Sequence, residues 1–178
     1  MSFRERYKNE VVPKLMVELG LPRQAVPRIE KVVVHVGFGK FLKDQKILET
    51  IEHTLERITG QKSVPTLARK SIAGFKIRSG QMIGRKVTLR GHRMDAFLEK
   101  MINAAIPRVR DFRGLDRKGF DSRGNYSLGI KEHIVFPEIR SDEVEHIHGL
   151  EVIIHTTAGN ATNGYALLKA LGFPFSKD

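Results

Sequence analysis

Between Glu56 and Asp95 the chain has no acidic residue, and the same stretch is broken by Pro65, Gly74, Gly80 and Gly84. These interruptions exclude a long helix, because proline removes a backbone donor and glycine weakens helical segments. The ten basic residues of 57–94 (Arg57, Lys62, Arg69, Lys70, Lys76, Arg78, Arg85, Lys86, Arg90 and Arg93) therefore do not lie on one long basic helix. Outside this stretch 21 basic residues face 20 acidic ones, so the excess behind a net charge of +11 is concentrated in one segment. A concentrated positive field marks a surface that meets a polyanion.

At 178 residues the chain is long enough for one well-cored domain. No run approaches the roughly 18 apolar residues of a membrane helix, and the first residues, Met-Ser-Phe-Arg-Glu-Arg-Tyr, have no apolar signal core. A basic amphipathic helix suited to a membrane surface is missing from the charged run. With no cysteine, disulfides and thiolate metal sites are excluded and a cytoplasmic location is expected. Nucleic acid is the better polyanion.

Hydrophobic spacing predicts a helix over 3–19, with Tyr7, Val11, Leu15 and Leu19 four apart, Pro13 as a kink and Gly20 as the stop. The β-branched run 28–36 is a strand. Asp44 caps a helix to about Thr59, with Ile47, Ile51, Leu55 and Ile58 as its inner stripe and Gly60 as its end. Short strands are expected at 62–67, 74–78 and 84–90, the last two joined as a hairpin through 79–83. A helix over 93–106 ends at Pro107, residues 125–136 are extended, and a short helix lies near 141–147. Leu150 to Thr156 is a strand and Ala161 to Leu171 a final helix. This order predicts an α+β fold: a mostly antiparallel sheet with helices packed on one face and the other open. In the strand 84–90, alternation puts Val87 and Leu89 toward the helices and Lys86, Thr88 and Arg90 on the open face. An ordinary solvated strand would show the same alternation; the lack of a nearby acid favours RNA.

Other motifs carry less. Gly37-Phe38-Gly39 follows a strand, but Leu42 stands where a dinucleotide fingerprint needs its third glycine. Gly80 to Lys86 lacks the spacing and the hydroxyl of a phosphate loop. His146, His148 and His155 read as scattered polar histidines, so neither a metal nor a cofactor is expected. Asp111-Phe-Arg-Gly, Asp116-Arg-Lys-Gly and Asp121-Ser-Arg-Gly repeat every five residues. Asp opens turns and Gly accepts positive φ, so 108–124 reads as a turn-rich loop for a macromolecular contact. No catalytic constellation stands out, and the chain is not expected to be an enzyme.

A set of motifs in order closely resembles a known family. They are Ile29-Glu-Lys-Val-Val-Val, Ile58-Thr-Gly-Gln-Lys62, Lys70-Ser-Ile-Ala-Gly-Phe-Lys76, Lys86-Val-Thr-Leu-Arg-Gly91, Ile106-Pro-Arg-Val-Arg-Asp-Phe-Arg-Gly114, Arg123-Gly-Asn-Tyr, Leu128-Gly-Ile-Lys-Glu132 and Phe136-Pro-Glu-Ile139. Together they resemble large-subunit ribosomal protein five in its bacterial form, over about Tyr7 to Phe175. The resemblance implies a structural protein of the large subunit that binds 5S ribosomal RNA in the central protuberance as a monomer within the ribosome. It further implies contacts to large-subunit ribosomal RNA, to P-site transfer RNA, to large-subunit protein eighteen and, in many bacteria, twenty-five, and a bridge to small-subunit protein thirteen.

Carried over by motif, the 5S RNA face comprises His35, Gln61, Lys62, Lys86, Thr88 and Arg90. The basic loop at about 70–84 would reach transfer RNA through Lys70, Ser71, Ala73, Gly74, Phe75, Lys76, Arg78 and Gln81, as a mobile arm that orders against RNA. Arg110, Asp111, Phe112, Arg113 and Gly114, with Ser141 and Asp142, would approach the small subunit. The family usually has Asn at the place of His35, and a small or apolar residue at that of Arg85, which puts an extra charge at the packed side of its strand.

Overall fold

The computed structural model describes residues 2–39, 44–140 and 146–176. The amino-terminal helix comes in three pieces: α1 (Phe3–Arg6), a π turn (Tyr7–Val11) and α2 (Val12–Leu19). Pro13 is the reason. It has no N–H for the carbonyl one turn back, and the helix widens so that the Val12 N–H reaches Tyr7 O instead. The same device recurs before Pro107, where α4 (Gly91–Lys100) passes into a π turn (Met101–Ala105) and a 3-10 turn (Ile106–Arg108).

Five strands form one sheet: β1 (Ile29–Gly37), β2 (Val64–Leu67), β3 (Met82–Leu89), β4 (Tyr126–Ile130) and β5 (Leu150–Thr156), in the order β2-β3-β1-β5-β4. Every neighbouring pair is antiparallel. Helix α3 (Gln45–Thr59) is capped by Asp44, whose carboxylate accepts from the Ile47 N–H, and ends at Gly60 with φ 67°. Helix α5 (Ala161–Ala170) follows β5 and is capped by Asn160. The inner stripe Ile47, Ile51, Leu55 and Ile58 is buried. So are Leu15, Leu98 and Leu167 from the other helices and Val32, Val34, Val87, Leu89, Val152 and Ile154 from the sheet. These side chains form one cluster, so the helices cover one sheet face and the alternate strand residues are left on the other.

The expected strand at 74–78 is not there. Ala73–Phe75 is a 3-10 turn, and Ile72 and Ile77 pair only with each other. The hairpin is β2 with β3, and residues 68–81 are its long connection. A strand needs a neighbour for its backbone groups, and β3 already has β2 and β1 on its two sides. The extended reading of 125–136 holds for β4, but His133–Val135 closes into a 3-10 turn. The short helix expected near 141–147 lies largely outside the described residues, as do Ser141 and Asp142.

Candidate nucleic-acid interface

Strand register sorts the open face into rows. Lys86 on β3 is opposite Val64 on β2 and His35 on β1, and His35 is opposite Glu151 on β5. The next row holds Thr88, Val33, Ile153 and Ser127. The third pairs Lys31 with His155, and Arg90, one residue past β3, extends it. The face thus has a short apolar and hydroxyl middle between two polar rows. Lys86 and Arg90 are exposed and Thr88 is half-buried, whereas Val87 and Leu89 are buried, as alternation requires.

Gln61 is tied to this face. Its side-chain N–H donates to Thr88 O at 3.3 Å, and its amide oxygen accepts from Arg93 Nη1 at 3.3 Å. One planar amide therefore ties down the end of β3 and holds a further guanidinium beside it. Lys62 is exposed next to it. Arg93, Lys31 and His155 were not placed on this face from sequence. Alternation applied to β1 and β5, as it was to β3, would have found the last two. His155 has its pKa lowered, first by burial and then by the charge of Lys31.

The His35 ring reaches across to Gly84 of β3. A Cβ on Gly84 would stand 2.9 Å from His35 Nε2 and 2.8 Å from Val36 O, so the glycine permits that approach. His35 Nδ1 faces the Glu151 carboxylate at 3.9 Å. Glu151 is the acidic side chain in the strand rows of this face; Glu30, at the lower end, lies 3.9 Å from Arg90, with both side chains more than half exposed. Screening by water makes the second pair weak. Arg85 is different. It points to the helix side, where Nη2 meets Glu52 of α3 at 2.6 Å and Nη1 donates to Ser63 at 3.2 Å. Its side chain is 15% exposed, so this cation is neutralised inside the fold and is withdrawn from any RNA surface.

The 68–81 connection projects from the β2 edge. Ala68 N–H donates to Gln81 O, Gly80 N–H to Ala68 O, and Arg78 N–H to the Gln81 side chain. These bonds close its neck. Ser79 N–H donates to Ser71 Oγ, and the paired Ile72 and Ile77 carry a tip in which Lys76 has φ 54°. The connection is an internally bonded finger. Lys70, Ser71, Ala73, Gly74, Phe75, Lys76 and Arg78 are exposed on it, and Phe75 is 72% exposed.

The 108–124 segment leads to the opposite edge. Arg110, Asp111 and Arg113 are exposed, Phe112 and Gly114 half-buried, and Asp111 has φ 53°. Asp116 accepts from Lys118 N–H, and Asp121 accepts from the Arg123 and Asn125 N–H groups, so the repeat is a chain of turns. His148 stacks on His133 with ring centroids 3.9 Å apart, while His155 belongs to the open-face rows.

Comparison with known proteins identifies this architecture. Residues 24–78 match the family described as ribosomal protein L5, and residues 82–175 match the C-terminal region of the same family. The chain is 52% identical over 174 residues to large ribosomal subunit protein uL5 of Halothermothrix orenii, covering 97% of both chains. It is 56% identical over 173 residues to the uL5 of Francisella philomiragia, again covering 97% of both, and 53% identical over 173 residues to that of Roseiflexus, covering 97% and 96%. This chain belongs to the ribosomal protein L5 family. It is therefore an RNA-binding structural protein of the large ribosomal subunit, cytoplasmic and not an enzyme.

Proposed function

We propose that the chain binds 5S ribosomal RNA on its open sheet face and helps attach it in the central protuberance. The supporting observation is the arrangement of Lys86, Thr88 and Arg90 on one face, beside His35, Gln61 and Lys62, with Lys31 and Arg93 brought alongside. Lysine and arginine meet phosphates, while Thr88, Gln61 and His35 read ribose hydroxyls and RNA shape. The whole chain acts as one RNA-binding unit with two projecting loops, a monomer within the ribosome. The finger carrying Lys70 to Gln81 contacts P-site transfer RNA. Arg110 to Gly114, with Ser141 and Asp142, bridges to small-subunit protein thirteen. Large-subunit ribosomal RNA and proteins eighteen and twenty-five are its neighbours.

Titration of 5S RNA at several salt concentrations tests the central claim. If about five phosphates are engaged, log K falls against log salt with a slope of roughly −4. Thr88→Ala and Arg90→Ala each weaken binding. A flat salt dependence, or wild-type affinity in both variants, would remove the sheet face as the site. Deleting the finger should spare 5S affinity and weaken transfer-RNA contact in assembled ribosomes.

A further inference from the structure

A carboxylate stands in the middle of the open sheet face. Glu151 lies on β5, in the row that runs Val64, Lys86, His35, Glu151 and Gly129 across all five strands. Its side chain is 48% exposed. Among the described residues it forms no ion pair with a lysine or an arginine. Other acids at the sheet are offset by arginine: Glu52 meets Arg85 on the helix side at 2.6 Å, and Glu30 lies 3.9 Å from Arg90 at the lower end. Glu151 has only His35, whose Nδ1 stands 3.9 Å from its carboxylate. That separation is too long for a hydrogen bond. The two groups therefore act on each other through charge, and strongly only when the imidazole carries a second proton.

The His35 ring spans the gap between a cationic and an anionic strand. Its Nε2 reaches over Gly84 of β3, the strand of Lys86, while its Nδ1 faces Glu151 of β5. The charged groups around it are few. Lys86 faces it from β3 and Glu151 from β5. Thr66 of β2, which shares the space above Gly84, carries no charge, and neither do Val64 and Gly129 at the two ends of the row. On its own strand Val33 separates it from Lys31. Lys86 and Glu151 cancel, so the row is neutral with an imidazole and carries one positive charge with an imidazolium. The other histidine of these rows, His155, takes up its proton at lower pH, because burial and then Lys31 lower its pKa. His92 is exposed on the first turn of α4, outside the strand rows. An exposed carboxylate repels phosphates over about 8 Å at physiological salt, so Glu151 subtracts from the attraction of this face for RNA.

We propose that Glu151 holds down the affinity of this face for 5S RNA and that a proton on His35 offsets it, which rests on the assignment of 5S RNA to the open sheet face. The sign follows from the charges. An imidazolium cancels Glu151 and turns both ring nitrogens into donors. Affinity is therefore full below the imidazole range near pH 6.5 and falls as pH rises through it. Full-length protein is titrated with 5S RNA at about pH 6 and about pH 8, with circular dichroism confirming that each variant stays folded. Wild type should bind about threefold more tightly at the lower pH, the size of one exposed charge pair, and added salt should shrink the difference. Glu151→Gln, which keeps the shape and an oxygen acceptor, should bind at about pH 8 as tightly as wild type does at about pH 6. His35→Asn should bind with one affinity at both. The inference is overturned if wild type shows no pH difference, or if His35→Asn keeps it, which would assign the titration to another group. It is equally overturned if Glu151→Gln binds no more tightly than wild type at about pH 8, which would leave Glu151 a support for the ring. Thr88→Ala/Arg90→Ala separates the two readings: retained 5S binding there unseats the sheet face itself, whereas lost binding beside unresponsive His35 and Glu151 variants unseats the charge pair alone.

Discussion

The two edges of the sheet are built on opposite principles. At the β2 edge Val64, Leu67, Ile72 and Phe75 are exposed, and the finger is held by hydroxyl and backbone bonds without a single carboxylate. At the β4 edge an aromatic cluster covers Tyr126, which is buried. Phe120, Tyr126, Tyr165 and Phe175 pack in tilted and edge-to-face contacts, with Phe120 and Tyr126 centroids 4.6 Å apart, and Arg117 lies over the Tyr165 ring at 4.4 Å. Tyr126 donates to Asp116 O, and burial followed by the Asp116 charge pushes its pKa up to about 12. The difference teaches where acids are put. At β4 they hold turns together; at β2 their absence leaves a field and an aromatic tip for an external partner. A motif rich in arginine can thus be structural, as at 117, or available, as at 78.

Glycine substitution should separate the edges most strongly. Gly124 has φ 82°, and a Cβ there would meet Asn160 O at 2.4 Å. Gly124→Ala should cost about 3 kcal/mol in denaturant unfolding. Gly74→Ala in the finger has open space around it and should change stability by less than about 0.5 kcal/mol. Comparable losses in both would erase the contrast.

Acid should act on the β4 side next. His133 and His148 close the connection from β4 to β5, with His148 N–H donating to His133 Nδ1 at 3.2 Å. Burial, then the neighbouring His133, lowers the His148 pKa to about 4. The unfolded imidazole titrates near 6.5, so the unfolded chain takes up the proton first. Stability is full above about pH 6.5 and falls steadily until about pH 4, by about 3 kcal/mol. His148→Phe should flatten that part of the curve; an unchanged slope would show that the stacked pair is not its source.

Smaller effects complete the contrast. Asp121→Ala removes three hydrogen bonds, two from backbone N–H groups and one from Asn125 Nδ2, and should lower stability by about 1 kcal/mol. Phe75→Ala should leave the melting temperature where it is, because a side chain 72% exposed has little burial to lose. A clear drop would mean that the finger tip supports the fold.

Much of this was legible beforehand because it is local. Period-two alternation placed Lys86, Thr88 and Arg90 on one face, and a cap, a stripe and a glycine delimited α3, since those signals depend on residues a few positions apart. The concentration of charge in 57–94 and the motif series also needed no fold. Tertiary structure decided what depends on distant neighbours. Glu52 on α3 claims Arg85, so one of the ten cations points inward. Residues 74–78 had the composition of a strand, but β3, the partner expected for them, has β2 and β1 on its two sides. Lys31 and His155 lie far apart along the chain, yet the pairing of β1 with β5 sets them side by side, because charge is summed in sequence but felt in space.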